Sequence, residues 1–334
     1  MTKLGGARVF VTGGAGFIGS YIVEELVRSG ARVKVYDNFS SGRMDNLGAV
    51  RHEVELVEGD ILDYDRLRIE MKGAKLVSHQ AAQLEILKCV NDPVADLQSN
   101  TVGTLHVLRA AVENKVEKII TASSACVYGQ AQTLPQTEEH PTEPNWAYGV
   151  SKLAAEKYCR LFQKYYAIPI TMLRYAIIYG PREWYGRVLT LFIKRALQRQ
   201  PLVIFGNGQQ VRDFTFVEDV ARMHKLCLSE DAANGKVYNV STGRGTAIKE
   251  LAHLVVKCAG RNIELVHEDV PEGSYSSHMP ERVRLPAELK AMVLSSQKAH
   301  DDLRWVAQTD LYEGIRQEME WAKSKLDRWD KVHI

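Results

Sequence analysis

Cysteine is scarce in this chain of 334 residues: there are five, Cys89, Cys126, Cys159, Cys227 and Cys258, scattered, odd in number and without a CxxC pair. Their pattern excludes a disulfide framework and a cysteine-rich zinc site, and it fits reduced thiols in a cytoplasm. The 10 histidines are equally dispersed and form no HExxH, so no metal is expected. An excess of charge of one sign is also missing. Lys and Arg number 43 against 41 Asp and Glu, a net charge of +2. With no basic stripe carrying interleaved aromatics, nucleic acid is not an expected partner. No apolar run reaches the roughly 18 residues that a membrane span needs. The opening MTKLGGARVFVTGG lacks the long apolar core of a secretion signal, so no membrane is expected as a partner either. Internal repeats and low-complexity segments are absent.

What is present is a composition of 45% hydrophobic and 25% charged residues, that of a globular protein, at a length that fits one large or two moderate domains. Short β-rich runs alternate with helical patterns. ARVFVTG, RVKVYD, VELVEGD, KLVSHQAA, EKIITASSA and PITMLRYAIIYG read as six strands. FIGSYIVEELVRSG, the stretch Asp96 to Asn114 and the stretch Tyr148 to Tyr166 read as helices between them. This alternation predicts an α/β fold: a doubly wound parallel sheet covered on both faces. After Tyr175 the rhythm loosens. GRVLTLFIKRALQRQ and AIKELAHLVVKCAG read as helices, KVYNVSTG as one more strand, and a last helix is expected from about Asp310 to Trp329. The expected division is a dinucleotide-binding domain of residues 1–174 and 212–242, with a smaller, discontinuous C-terminal substrate domain of residues 175–211 and 243–334.

VTGGAGFIGS places Gly13, Gly16 and Gly19 between the first strand and the first helix. Glycines at this spacing permit a tight turn, close approach of backbone to a pyrophosphate, and close packing of helix on strand. The helix start at Phe17 and Ile18 then offers backbone N–H groups and partial positive charge to phosphates. The second strand ends in Asp37, followed by Asn38. A carboxylate there accepts from adenosine ribose hydroxyls and repels a 2′-phosphate, which favours NAD over NADP. Asp60 with Ile61, ending the third strand, either meets the adenine or caps the strand. In WAYGVSK, Tyr148 stands four residues before Lys152, on one face of a helix. Such a pair is either an ordinary wet surface or a phenol held beside a cation.

Taken together, VTGGAGFIGS, YDNFSSG, GDILD, HQAA, SSACVYG, YGVSK, LRYAIIYGPR and YNVSTG occur in the order seen in the extended short-chain dehydrogenase/reductase superfamily. The chain most resembles its NAD-dependent nucleotide-sugar epimerases and dehydratases, particularly UDP-glucose 4-epimerase-like proteins. The resemblance implies a Rossmann fold and bound NAD, with Ala81 and Ala82 of HQAA beside the cofactor. It implies a nucleotide sugar, UDP-linked, as substrate, and a homodimer formed by a four-helix bundle from the stretches Asp96 to Asn114 and Tyr148 to Tyr166.

The resemblance also implies that Tyr148 is the catalytic base and Lys152 its partner. A free tyrosine has a pKa of about 10. A nearby lysine and a positive nicotinamide ring both favour phenolate. Ser124, with Ser123 as the weaker candidate, would hydrogen-bond the reacting hydroxyl. Dehydratases and decarboxylases of the family carry an acid just before the Val-Tyr-Gly; here those positions read Ala125 and Cys126. Cys126 is expected to line the substrate site as a small apolar filler. Arg212 resembles the arginine that grips the nucleotide diphosphate, a task suited to the guanidinium fork. Arg282 or Arg284 is the expected second grip. Where relatives read Arg-Tyr-x-Asn-x-Tyr-Gly-Pro, this chain has Ile177 in place of the Asn. An isoleucine makes no hydrogen bond to a sugar nucleotide, a loss of about 1 kcal/mol. The stretch Glu183 to Val188 is the expected source of replacement contacts. The implied activity is 4-epimerisation. The alternatives are dehydratase, decarboxylase or 4-ketoreductase chemistry, and lastly a non-catalytic NAD sensor.

Overall fold

Apolar residues on consecutive positions of a strand point to opposite faces, so a strand that is apolar throughout must be covered on both sides. The first strand, β1 (Arg8–Thr12), shows this: Val9 and Val11 enter one core cluster and Phe10 the other. In the computed structural model, which describes residues 4–325, β1 lies in a seven-stranded sheet. Its companions are β2 (Arg32–Asp37), β3 (Glu55–Glu58), β4 (Leu76–His79), β5 (Lys118–Ser124) and β6 (Ile170–Tyr175). β7 (Ile177–Tyr179), β8 (Leu202–Phe205), β9 (Val211–Arg212) and β10 (Phe214–Phe216) follow outside it, before β11 (Val237–Val240) returns to the edge. The order is β11-β6-β5-β4-β1-β2-β3, and every pairing is parallel. This is the expected doubly wound sheet. Its strand order reverses between β1 and β4, where ligands bind outside the carboxyl ends of such strands.

The segment read as one strand, PITMLRYAIIYG, is two. The Ala176 amide still donates to the Val240 carbonyl at 3.1 Å, but the Ile177 amide donates to Asp213 at 3.0 Å. β7 therefore leaves the large sheet and pairs with β10. The stretch 96–114 is likewise not one helix. Pro93–Leu97 runs into a π-helical turn, Gln98–Val102, before the Gly103–Glu113 helix. The C-terminal helix is Leu311–Lys323; the expected continuation toward Trp329 lies outside the described residues.

Beyond the large sheet, β8 pairs with β13 (Leu265–Glu268), and β9 lies between β12 (Thr246–Ala247) and β14 (Ala291–Met292). A second core fills this region, with Tyr179, Phe192, Ile193, Leu251, Val255, Ile315 and Met319 at its centre. Residues 297–305, which the sequence reading gives to the second unit, pack instead with the large sheet: Ala299, Leu303 and Trp305 join the cluster of Val9, Val11 and Val220.

Candidate active site

The first turn opens the site. Gly13 sits at φ +67°, and a Cβ there would come within 2.6 Å of the Ala81 amide nitrogen. A Cβ on Gly19 would strike the Gly13 carbonyl. Both positions therefore need glycine, one for its backbone conformation and its closeness to β4, the other for the seating of the helix. The Phe17–Arg28 helix begins at Gly16 with no side-chain cap, which leaves its first-turn amides for an anion. Asp37 is 6% exposed. It accepts from the Ala15 and Phe39 amides at 2.9 Å each, so it braces the glycine loop while keeping free lone pairs. Burial pushes its carboxyl upward, against those two hydrogen bonds. Asp60 accepts from the Leu62 amide at 2.8 Å and from Asn38 at 2.9 Å. It caps the strand end and lines the cavity at once.

One cavity of about 630 Å³ runs from this loop to the Tyr148 helix. Gly13, Gly16, Phe17, Ile18, Gly19, Asp37, Asn38, Asp60, Ile61, Ala81 and Ala82 line one end. Ser124, Cys126, Tyr148, Lys152, Ile177, Arg212 and Arg282 line the other. The structure thus brings these residues to one cavity. Arg284 does not line the cavity; it is held by Glu288 at 3.1 Å and the Val270 carbonyl at 2.6 Å. Arg212 stands 3.9 Å from Glu288, and burial lowers the pKa of both Arg212 and Arg282.

At the far end, β5 delivers two serines with different tasks. Ser123 donates to Glu156 at 2.6 Å and is used up structurally. Ser124 caps the next turn by accepting from the Cys126 amide at 3.1 Å, and it helps to lower the pKa of the Tyr148 phenol. The Ala147–Tyr166 helix then stacks Tyr148 and Lys152 one turn apart. Lys152 is 4% exposed and donates to the Ala122 carbonyl at 3.1 Å. Burial lowers its pKa to about 8, against the pull of Asp96. The lowered pKa expected for Tyr148 depends on a bound nicotinamide ring as well as on Lys152. In the chain by itself burial dominates and pushes the phenol well up, and only Ser124 and Arg187 counter it. Burial likewise pushes the Cys126 thiol up, in keeping with a filler.

Three features behind the site were not singled out in the sequence. Arg174 grips Glu156 with two bonds of 2.9 and 2.7 Å, both side chains being under 5% exposed. It continues through the Tyr128 hydroxyl at 2.9 Å to Asn239 at 2.6 Å. His79 is locked between Thr12 at 2.8 Å and Thr104 at 3.0 Å, and burial, then Lys152, lower its pKa to about 3. It is a neutral spacer at the end of β4. Asn100, in the π-helical turn, holds the Gln83 backbone by two bonds of 2.9 and 3.0 Å and so fixes that cavity wall. A helix reading of the stretch gave no signal for it.

The uncapped helix, the two glycines and the continuous cavity fit a dinucleotide laid from Asp37 to Lys152. Gly13→Ala is expected to purify without NAD, seen as loss of nucleotide absorbance after denaturation, because the added methyl meets backbone and not a movable side chain.

A glycine-turned βαβ unit whose cavity ends in a Ser–Tyr–Lys set defines an enzyme that works with a dinucleotide. The chain belongs to the NAD dependent epimerase/dehydratase family, whose model matches residues 9–241. It is 33% identical over 326 residues to the UDP-glucose 4-epimerase of Mycolicibacterium smegmatis, covering 95% of this chain and 99% of that one. The structure of the UDP-glucose 4-epimerase of Thermotoga maritima with UDP-glucose matches with a TM-score of 0.86 at 32% identity, covering 96% of this chain and 99% of the other. That of Thermus thermophilus, in complex with NAD, matches with a TM-score of 0.83 at 33% identity, covering 95% and 99%. No helix among the described residues is long and apolar enough to cross a membrane.

Proposed function

We propose that the chain is an NAD-dependent nucleotide-sugar 4-epimerase of the UDP-hexose type. The observation that carries the reading is the convergence of Ser124, Tyr148 and Lys152 on a cavity that also holds Arg212 and Arg282. NAD, held between Asp37 and Lys152, would supply the acceptor for a sugar hydride and its return to the opposite face. Tyr148 takes the proton of the sugar hydroxyl and later gives one back. Ser124 orients that hydroxyl. Lys152, anchored on Ala122, places positive charge beneath the phenol and donates to the cofactor ribose. Arg212 and Arg282 hold the diphosphate, and the sugar turns over between the two transfers. Ala125 and Cys126 offer no acid for the elimination step of a dehydratase or decarboxylase. The test is proton NMR of the purified protein with UDP-glucose, UDP-N-acetylglucosamine and UDP-glucuronate and no added cofactor. An isomer of equal mass supports the reading; a product lighter by water or carbon dioxide sinks it.

The same reading takes the protein as two units divided near residues 174, 212 and 242, and as a cytoplasmic homodimer. Five free thiols support the compartment. For the dimer, Val150, Tyr158, Leu161 and Tyr165 form one exposed stripe along the Ala147–Tyr166 helix at helical spacing, and Val94 and Leu97 lie exposed on the neighbouring helix. A second copy of this chain covers that face. Leu161→Glu is expected to shift the sedimenting mass from twice 37.6 kDa toward 37.6 kDa; an unchanged mass counts against this face.

A further inference from the structure

The helix that carries Tyr148 starts at Ala147, and Trp146 holds its N-cap position without a side-chain cap. Ser, Thr, Asp or Asn there accepts from a first-turn amide and stabilises a helix; an indole has no acceptor to offer. The Trp146 side chain is spent elsewhere. It is 8% exposed, and its Nε1–H donates to the Pro286 carbonyl at 2.8 Å, across 140 positions of the chain. Its ring shares an apolar cluster with Leu289 and Met292, with Leu285 packed at the margin. The neighbouring Asn145 adds a longer contact, 3.5 Å, to the Ala287 carbonyl.

The segment that Trp146 grips, residues 270–288, is a strap along the cavity. Met279, Arg282, Leu285 and Glu288 line the cavity wall from it. The strap folds back on itself: the Gly273 amide donates to the Arg284 carbonyl at 2.8 Å, the Arg284 amide to the Ser274 carbonyl at 3.0 Å, and the Ser276 amide to the Arg282 carbonyl at 2.9 Å. One carboxylate at the end of β13 clasps its tip. Glu268 accepts from the Ser276 hydroxyl at 2.5 Å and from the Ser277 amide and hydroxyl at 2.5 and 2.7 Å, and it stands 3.4 Å from His278. The returning limb is held by Arg284 on Val270 and Glu288, and then by the bond from Trp146. Arg282 therefore sits between a clasp on β13 and a latch on the Tyr148 helix.

We infer that Trp146 is a positioning residue: its N–H ties the strap to the first turn of the catalytic helix, so that a nucleotide held by Arg282 sets the Tyr148 hydroxyl against the sugar. The inference rests on the reading of Tyr148 as the acid/base group and of Arg282 as a diphosphate grip. A first turn without a cap of its own takes its position from what its N-cap side chain grips, and here that is the strap. Proton transfer needs the phenol within hydrogen-bond reach of the sugar hydroxyl, so a displaced first turn lowers kcat and leaves nucleotide affinity alone.

The experiment uses the NAD-loaded protein, Trp146→Phe, Glu268→Ala and the double variant. Trp146→Phe keeps an aromatic wall toward the cavity and deletes the N–H; Glu268→Ala frees the strap tip. Two readouts are taken: kcat and KM with UDP-glucose, UDP-N-acetylglucosamine and UDP-glucuronate, and hydrogen exchange of the Val150 amide with and without UDP. That amide makes the first bond of the helix, to the Trp146 carbonyl at 3.1 Å. UDP is expected to slow its exchange in the natural chain by about 3- to 10-fold, the worth of one hydrogen bond, and not in Trp146→Phe. In Trp146→Phe, kcat is expected to fall by the same factor of about 3 to 10, with KM, UDP affinity, Tm and NAD content unchanged. Glu268→Ala lowers kcat as well and adds little in the double variant, because both substitutions cut one link. Slowing by UDP that persists in Trp146→Phe, or that is missing from the natural chain, overturns the inference. Additive losses of kcat overturn it too, as does a fall in Tm and NAD content with kcat unchanged. A natural chain that turns over none of the three sugars would sink the epimerase reading, and the Val150 exchange would still decide on Trp146.

Discussion

Tyr148→Phe is expected to lower kcat by about 10²- to 10⁴-fold, the usual worth of a positioned acid/base group. Substrate KM and NAD content should stay near those of the natural chain. The substitution removes one oxygen from a ring whose packing is otherwise kept, so a folding defect is not expected. A readout of the physics comes with it. In the chain without NAD, burial holds the phenol protonated far above neutrality. Lys152 is also buried, and its own pKa is lowered to about 8, so its charge is no fixed resource at alkaline pH. Phenol ionisation followed by ultraviolet difference absorbance should be absent at pH 8 in NAD-free protein. Turnover of Tyr148→Phe within tenfold of the natural rate would sink the assignment.

The second large effect concerns stability. Arg174→Ala should cost about 3–5 kcal/mol, because it strands the buried Glu156 carboxylate that Arg174 holds through two bonds. For a chain of this length that corresponds to a fall in Tm of roughly 4–7 °C. The cost will not stay in the core. Glu156 also accepts a hydrogen bond from Ser123, next to Ser124, and lies one turn beyond Lys152 on the same helix. The variant should therefore lose kcat as well, and Glu156→Gln should recover part of the lost stability when combined with it, since no buried charge is then left unpaired. A Tm within 2 °C of the natural chain, read by calorimetry, would contradict this account.

The glycine loop, Asp37 and the Tyr148–Lys152 pair were legible in the sequence because local spacing dictates them: a turn needs glycine at fixed positions, and a helix brings i and i+4 together. β1 to β6 were legible for the same reason, as apolar runs bounded by turn residues. The break between β6 and β7 was not. Tyr175, Ala176, Ile177 and Ile178 carry no turn residue, and the exchange of one hydrogen-bond partner strand for another leaves no local mark. The π-helical turn at Gln98–Val102 was hidden likewise, since its cause is a distant loop held by Asn100. Glu318 did leave a trace. It falls beside Ile315 and Met319 on the apolar stripe of the last helix, where a charge needs an explanation. That explanation, Glu183 with Arg187, is supplied by residues 135 and 131 positions away, which spacing within one helix cannot reveal.

The return of residues 297–305 to the large sheet has an evolutionary reading. Ala299, Leu303 and Trp305 fill the same core as β1, and Trp305 donates to the Asp219 carbonyl at 3.2 Å while Asp219 accepts from the Gln308 and Thr309 amides at 3.0 and 3.1 Å. The core around the large sheet therefore closes only after the chain of the second core has been threaded. Recombination that exchanged everything downstream of β11 would swap a piece of the large sheet's own core and leave the cavity positions 177 and 187 unchanged. The cavity wall at positions 177 and 187 is therefore more readily altered by point changes than by shuffling whole C-terminal halves.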